Sequence, residues 1–195
     1  MKDHFIFESR ELRLTPLQIE QDAPVMAQWS QDLEIARRLR SDRPARPLSV
    51  SEARKVFEAW LKEVETSNRN TLFALRPQED DRLVGFLRIM GILWLHGTAN
   101  FDLLLGNEED RMRYADEALV LGLNYAFEEL NLFRVSAQVP EYDVAGRALY
   151  DRARFTLEVR QRQAVFHEGR TWDRLQFGML RPEWEVFYRR EGVAL

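Results

Sequence analysis

The sequence predicts an α/β domain in which helices lie on a β-sheet. The apolar run Phe101–Leu105 is short enough to be a buried strand. A polar connection, Gly106–Asp110, follows it. Small or apolar side chains then recur at the spacing of a helix that packs on a sheet, at Ala115, Ala118, Leu119, Gly122, Leu123, Ala126, Phe127 and Leu130. A strand, a short loop and a helix start in this order offer free backbone N–H groups to an anion.

Length and composition set the domain organisation. The chain has 195 residues, of which 45% are hydrophobic and 31% are charged, so it is long enough to bury a sizeable core. No internal repeat, low-complexity tract or linker interrupts it. We therefore expect a single domain over residues 1–195.

Charge and residue usage exclude several classes of site. The formal net charge of -4 gives no basic field for nucleic acid. The chain has no cysteine, which excludes disulfides, a thiolate nucleophile and a cysteine metal site. His4, His96 and His167 lack the spacing of metal ligands, so we expect no metal.

The sequence also gives an expectation about membranes. The segment Met1–Glu11 lacks the apolar core of a signal peptide. The longest apolar run, Ile89–Leu95, is far too short to span a bilayer. We therefore expect a cytoplasmic protein with no membrane partner.

The first elements follow from alternation and from helix-start signals. The segment Glu11–Leu17 alternates like a half-exposed strand and is stopped by Pro16. Asp22 then introduces a helix with Pro24 in its first turn and an apolar face, formed by Val25, Met26, Trp29 and Leu33. The next segment, Ser41–Pro47, is predicted to be a loop.

A second helix and two strands come next. Ser49–Glu52 fits a capping box, which predicts a helix start. The runs Thr71–Arg76 and Arg82–Leu95 are typical of antiparallel strands joined by a polar turn. Gly85 and Gly91 in the second run predict a bulge or a close backbone approach.

The remaining chain predicts a strand, a helix and a hairpin. Leu132–Val139 is a strand ended by Pro140, and a helical pattern follows over Asp143–Phe155. The segment from Ala164 to Trp184 completes the chain as a hairpin.

These segments together resemble one protein family, the GNAT acyl-CoA N-acetyltransferases, and within it the ribosomal-protein type (RimJ/RimL). The start of the chain resembles the family's Leu-Arg-Leu-x-Pro-Leu strand and its Asp-Ala-x-x-Met-x-x-Trp helix. Leu149, Tyr150 and Phe155 match its Leu-Tyr-x-x-x-Gly-Phe segment, with Asp143 for an asparagine and Arg154 for the glycine. The tail resembles its closing Val-Phe-x-x-Gly-Arg-x-x-Asp hairpin. The resemblance implies a GNAT fold, which is a mixed, strongly twisted central sheet with helices on both faces.

The resemblance also implies a site for acetyl-CoA. In this family an Arg/Gln-x-x-Gly-x-Gly/Ala loop holds the pyrophosphate with backbone amides. The chain matches this motif only at its last position, because Asp110 occupies the first and Arg113 replaces a glycine. The predicted cofactor residues are Leu104, Leu105, Gly106, Arg111, Met112, Arg113, Tyr114, Ala115, Asp116 and Asp143. The alternative interpretation is an ordinary strand-to-helix turn with Asp110 as helix N-cap.

Arg113 has two opposite interpretations. Its guanidinium either turns outward and contacts phosphate from the side, or it occupies the cofactor site with only Glu108, Glu109 and Asp110 as partners. In the family, the loop between the first two helices lies over the acceptor. Arg43 and Arg46 of the corresponding segment are therefore candidate contacts for an acidic acceptor, and the alternative is that they are exposed loop arginines with no specific role.

Two side chains are predicted to be catalytic. By resemblance, Tyr150 is the acid that protonates the departing thiolate, and the alternative is a tyrosine that only packs its ring. The family often places a basic carboxylate on the strand before the loop, where this chain has Asn100. Asp102 lies two residues on, and so on the same strand face, and is the candidate base. Its alternative is a strand-end carboxylate bonded to backbone or to an arginine.

The resemblance implies an N-acetyltransferase that uses acetyl-CoA and acts on a primary amine by direct attack. The sequence leaves the acceptor open between a protein N-terminus, a polyamine, an amino sugar and another small amine, and a homodimer is compatible with the family. The competing hypothesis is a catalytically inactive GNAT-fold protein that serves as a binding or regulatory module. The departures at Asn100, Asp110 and Arg113 favour that second hypothesis.

Overall fold

The structure is a computed structural model that describes residues 6–39 and 44–190, with side chains to residue 188. Part of the predicted loop, Ser41–Arg43, lies outside the described residues, and Arg43 with it. Arg46 lies within the described residues, and its guanidinium forms an ion pair with the Glu52 carboxylate. This guanidinium is therefore already paired with an acid of the same chain.

Seven strands and six α-helices make up the described parts of the chain. The strands are β1 (Leu12–Thr15), β2 (Thr71–Pro77), β3 (Gly85–Leu93), β4 (Thr98–Leu105), β5 (Arg134–Pro140), β6 (Thr156–His167) and β7 (Arg170–Leu180). The helices are α1 (Ile19–Trp29), α2 (Leu33–Leu39), α3 (Val50–Thr66), α4 (Glu108–Asn124), α5 (Val144–Arg152) and α6 (Arg181–Trp184). Short π-helical turns follow α4 and α6, at Tyr125–Glu129 and Glu185–Arg190.

The strands form one mixed sheet in the order β1-β2-β3-β4-β5-β7-β6. β1 pairs with β2, β5 with β7 and β6 with β7 in antiparallel fashion, whereas β4 and β5 run parallel. A mixed sheet combined with helices confirms the predicted α/β fold class.

The chain divides into two compact units. Unit 1 comprises residues 1–88 and 103–115, and unit 2 comprises residues 89–102 and 116–195. The single-domain organisation over residues 1–195 stays a prediction.

The first helix of unit 1 departs from the predicted boundaries. α1 begins at Ile19, so Asp22 lies inside its first turn and does not precede it. The Asp22 carboxylate accepts a hydrogen bond from the Gln18 N–H (2.7 Å) and pairs with buried Arg76 (2.8 Å). Leu33 belongs to a separate helix, α2, because the chain turns between Ser30 and Asp32.

Two local predictions in unit 1 are confirmed. Ser49 caps α3, accepting from the Glu52 N–H, while the Glu52 side chain accepts from the Ser49 N–H. Gly85 marks a close backbone approach, since a Cβ there would overlap the carbonyl of Leu104. These features depend on residues close in sequence or on one small residue, so the sequence was sufficient to predict them.

The described residues contain no helix that is long and apolar enough to cross a membrane. The same residues contain no group of three histidine, aspartate or glutamate side chains placed to hold a metal ion.

Candidate functional site

The predicted cofactor loop in unit 1 is helical. α4 begins at Glu108, and Asn107 caps it by accepting from the Asp110 N–H (2.8 Å). Asp110 is therefore not the N-cap, because the side chain of Asn107, three residues earlier, occupies that position. The Arg111 N–H bonds the Asn107 carbonyl (3.1 Å), and later amides bond within the helix. The backbone of residues 111–116 thus has no free N–H groups for a pyrophosphate.

Asp110 is almost completely buried and is held by an arginine that lies outside the motif. Arg82 donates two hydrogen bonds to its carboxylate, at 2.7 and 2.9 Å. Asn107 donates a third, at 2.7 Å. The carboxylate raises the pKa of Arg82, with the side-chain hydrogen bond as the largest cause. The acid at the first motif position therefore has its negative charge offset inside unit 1.

Arg113 faces two acids that the sequence interpretation did not include among its partners. It donates to Glu79 (2.9 Å) and to Glu11 (3.3 Å), and it lies 4.8 Å from the centre of the Tyr114 ring. Arg113 lowers the pKa of Glu79, mainly through the hydrogen bond. The expectation that only Glu108, Glu109 and Asp110 would pair with a blocking Arg113 is therefore wrong. Residues far away in sequence supply the partners.

Arg111 differs from its neighbouring arginines. It is partly buried, and within the described residues its guanidinium has no carboxylate partner. Met112, next to it, is 82% exposed. Tyr114 and Ala115 are buried, and the Tyr114 hydroxyl donates to Glu79 (3.3 Å).

The strand end before α4 is closely packed. Leu104, Leu105 and Gly106 are buried, and the Gly106 N–H bonds the Val84 carbonyl (3.0 Å). A Cβ at Gly106 would overlap the ring of Trp29. This glycine therefore allows a close contact with an aromatic side chain in unit 1, and its own N–H is already bonded.

In unit 2, the pairing of β4 with β5 stops early. The parallel ladder covers Thr98–Asn100 opposite Arg134–Ser136, although both strands continue. Phe101 and Asp102 extend β4 within the same unit without entering the ladder. Asp102 is half-buried. Within the described residues, the backbone of β5 beyond Ser136 is therefore not paired with β4.

Tyr150 lies on α5 and is 6% exposed. Its ring packs edge-on against Phe155, at 5.0 Å between centres, and stacks on Phe177 at 5.7 Å. The ring contacts agree with the packing interpretation, and the role of the hydroxyl stays a prediction.

Two predicted cofactor residues of unit 2 have local structural roles. Asp143 caps α5, accepting from the Gly146 N–H (2.9 Å). Asp116 pairs with Arg152 (2.8 Å). Arg154, at the family's glycine position, has φ of 63°. The left-handed backbone expected from a glycine is thus present although the residue is an arginine.

Sequence reasoning did not identify Arg82, Glu79 or Asn107 as part of this region. Asn107 carried a local signal, because asparagine is a preferred cap three residues before an acid. Arg82 and Glu79 carried none, because they lie 28 and 34 residues from their partners.

Comparison with known proteins identifies the family. The family model described as an acetyltransferase (GNAT) domain matches residues 11–156. The "Uncharacterized N-acetyltransferase p20" of Bacillus licheniformis is 26% identical over 177 residues, which are 90% of this chain and 96% of that protein.

Solved structures share the fold. The spermidine N-acetyltransferase from Vibrio cholerae in complex with CoA and spermine has a TM-score of 0.74 at 20% identity, covering 90% of this chain and 99% of that one. A GCN5-related N-acetyltransferase from Brucella melitensis has a TM-score of 0.72 at 24% identity, covering 94% of this chain and 81% of that one. At these identities the likeness shows the fold alone.

Proposed function

We propose that this chain, which belongs to the acetyltransferase (GNAT) domain family, transfers the acetyl group of acetyl-CoA to a primary amine by direct attack. The family model and the named relative identify it as an N-acetyltransferase. The direct mechanism, without a covalent enzyme intermediate, agrees with a chain that has no cysteine nucleophile.

The observation that carries this proposal is the early end of the β4–β5 ladder. Beyond Ser136, β5 keeps its pairing to β7 on one side while β4 leaves the other side unpaired. An unpaired strand edge binds extended groups that carry amides, by adding them as a further strand. The pantetheine arm of acetyl-CoA is extended and carries two amides. The backbone of Ala137 and Gln138 is therefore the proposed binding edge for this arm.

The cofactor phosphates need a different contact from the one the family motif implies. The backbone of residues 111–116 does not fit this role, because its N–H groups are bonded within α4. Arg111 fits, because it is a partly buried cation near the helix start with no acid partner in the described parts of the chain. Its guanidinium fork matches phosphate oxygens. We therefore assign phosphate binding to Arg111 rather than to Arg113.

Tyr150 and Asp102 keep their proposed catalytic roles. When bound, acetyl-CoA supplies the acetyl group and the thiolate leaving group. Asp102 accepts a proton from the neutral amine nitrogen as it attacks the thioester carbonyl, and the Tyr150 hydroxyl donates a proton to the departing sulfur. The packed ring of Tyr150 holds that hydroxyl in one orientation.

Two kinds of similarity bear on the chemical class of the acceptor. Spermidine N-acetyltransferases among the structural relatives support a small amine, and the motifs of the ribosomal-protein type support a protein N-terminus.

A second candidate function is a binding module without catalysis. The helical start of α4 favours it, because a helix replaces the loop that would hold pyrophosphate.

A combined binding and transfer assay tests the proposal. Acetyl-CoA at about a hundred times its dissociation constant should stabilise the protein by roughly 2.7 kcal/mol. Free thiol should then appear only when a primary amine is added. Binding without thiol release would favour the non-catalytic module, and no thermal shift at millimolar acetyl-CoA would contradict the proposed transfer and also favour that module.

A further inference from the structure

One face of the sheet in unit 2 is polar and accessible to solvent. On β5 and β7, buried apolar side chains alternate with polar side chains that are exposed or half-buried. Phe177 is 2% exposed and belongs to the face on which Tyr150 packs. Gln138, Arg174 and Gln176 belong to the opposite face, where Gln138 is exposed and the other two are half-buried.

These three polar side chains are adjacent and have unused hydrogen-bonding groups. Gln138 and Gln176 are direct partners in the β5–β7 ladder, so their side chains lie about 5 Å apart. Arg174 follows two residues away on β7, on the same face. Among the described residues, none of the three side chains has a hydrogen bond or ion pair with another group. Gln138, Gln176 and Arg174 are called the polar row below.

The charged groups around the polar row are paired with one another. Arg134 and Glu158 form an ion pair. Asp173 accepts a hydrogen bond from Arg160 (2.9 Å), and as the residue before Arg174 it points to the opposite face. The positive charge of Arg174 is therefore not offset by a carboxylate of the described residues.

The polar row lies next to the proposed catalytic base. Asn100 and Ser136 are the last paired residues of the β4–β5 ladder. Asp102 and Gln138 lie two residues further along these strands, so they point to the same face as that last pair. Beyond the pair the strands separate, and a thioester in this slot can be reached by Asp102 from one face and by Tyr150 from the other. An amine that binds at Asp102 therefore has the rest of its molecule on the face of the polar row.

We propose that the polar row is the subsite for the acceptor, and that Arg174 selects an amine with an anionic group at a fixed distance from its nitrogen. This proposal rests on the proposed N-acetyl transfer and names its substrate class. Two strand spacings and a step of two residues separate Asp102 from Arg174, which is about 12 Å.

The distance defines the acceptor more closely. An extended peptide covers about 12 Å with roughly three or four residues. The acceptor is therefore the amino terminus of a peptide whose third or fourth residue is acidic. The guanidinium of Arg174 binds that carboxylate, and the amides of Gln138 and Gln176 bond the peptide groups between. A polyamine would be repelled by Arg174.

Amidated hexapeptides that differ at one residue test the proposal. A single glutamate is moved from the second to the sixth position of a peptide of serine and alanine, and each version is compared with glutamine at the same position. We expect kcat/KM to be about tenfold higher for glutamate at the third or fourth position, as for one hydrogen bond to a charged group, and equal at the sixth. Arg174→Gln should abolish this preference by raising KM, with unchanged kcat/KM for the glutamine peptides.

Control variants separate the charge of Arg174 from other effects. Arg174→Lys keeps the charge without the guanidinium fork and should retain part of the preference. Arg162→Gln changes an exposed arginine of the neighbouring strand β6 and should leave the preference intact. Equal kcat/KM for glutamate and glutamine at every position, or a higher value for spermidine than for every peptide, would overturn the proposal. Weaker acetyl-CoA binding by Arg174→Gln would assign Arg174 to the cofactor and overturn it as well.

Peptide binding distinguishes failure of the subsite from failure of the reaction. If the wild type acetylates none of the peptides, fluorescence anisotropy of the labelled hexapeptides in the presence of CoA measures their affinity. Tighter binding of the glutamate peptides that is lost in Arg174→Gln would support the subsite and contradict the transfer. Equal binding of glutamate and glutamine peptides would refute the subsite, independently of the proposed reaction.

Discussion

The surroundings of α4 in unit 1 and the end of the β6–β7 hairpin in unit 2 differ in how far their polar groups are paired. In unit 1, Arg76, Arg82 and Arg113 each bond a carboxylate, and even the nearly inaccessible Asp110 has three donors. At the end of the β6–β7 hairpin in unit 2, the solvent-shielded Trp172 indole N–H has no hydrogen-bond acceptor, and the Arg170 guanidinium over its ring has no carboxylate partner, within the described residues. Paired buried groups stabilise the fold, whereas a buried donor without a partner is costly unless water or a ligand pairs with it. Arg111, in unit 1, is partly buried and has no carboxylate partner among the described residues, and for this reason it is the proposed phosphate contact.

The largest loss of stability is expected when the buried ion pair between Asp22 and Arg76 is broken. Asp22 and Arg76 are each 1% exposed, so Asp22→Ala leaves an uncompensated buried cation. We expect a loss of about 3–5 kcal/mol in the free energy of unfolding, measured by urea denaturation. Glu20→Ala removes an exposed partner of Arg54 in the same unit and should cost less than about 1 kcal/mol. Similar losses in both variants would show that burial does not distinguish these pairs.

A pair of tyrosines in unit 2 separates chemistry from packing. Tyr150→Phe keeps the ring contacts and removes the proposed acid, so kcat should fall about a hundredfold with little change in acetyl-CoA affinity. Tyr188 is the control, because its hydroxyl donates to the Ala153 carbonyl (2.9 Å) and burial raises its pKa to about 12. Tyr188→Phe should lower stability by about 1 kcal/mol without changing kcat. Unchanged kcat in Tyr150→Phe would assign that residue to packing alone.

Arg113 tests whether a compensated cation takes part in cofactor binding. Arg113→Gly removes its contacts to Glu79 and Glu11, which are surface ion pairs of small energetic effect. We expect acetyl-CoA affinity to change by less than about twofold, measured by calorimetry. Tighter binding would show that Arg113 blocks the site. Weaker binding that recovers at high salt would show that it contacts phosphate.

The smallest effect concerns the helix cap of α3. Hydrogen bonds from Arg46 and from Ser49 lower the pKa of Glu52 from 4.5 to about 2. A lowered folded-state pKa gives stability above the unfolded value, and that stability is lost as pH falls from 4.5 towards 2. Glu52→Gln should therefore lower Tm slightly at pH 7 and not at pH 2. An equal decrease of Tm at both pH values would contradict a role for the ionised carboxylate.

Local patterns predicted much of the fold from the sequence. The capping box at Ser49, the close approach at Gly85 and the apolar stripe of α4 depend on neighbours in the chain or on one small side chain. These features are confirmed because short-range physics determines them.

The candidate site was less predictable because distant residues determine it. Nothing in the segment around Asp110 indicates that Arg82 binds it, nor that Glu79 holds Arg113. The helix was expected to start at Asp110, yet Asn107 starts it earlier and removes the free amides of the loop. Ion-pair partners separated by about 30 residues are brought together by the tertiary fold, and the hydrophobic periodicity of the sequence does not predict them.

Calorimetric titration of acetyl-CoA into the wild type, Arg111→Gln and Arg113→Gln tests the central claim most directly. The two variants remove one arginine each from the same turn of α4, so they differ mainly in whether an acid already compensates the lost charge. We expect one-to-one binding by the wild type, a loss of about 1.5–3 kcal/mol in binding free energy for Arg111→Gln, and nearly unchanged binding for Arg113→Gln. Equal effects of the two substitutions, or no binding by the wild type, would contradict the account.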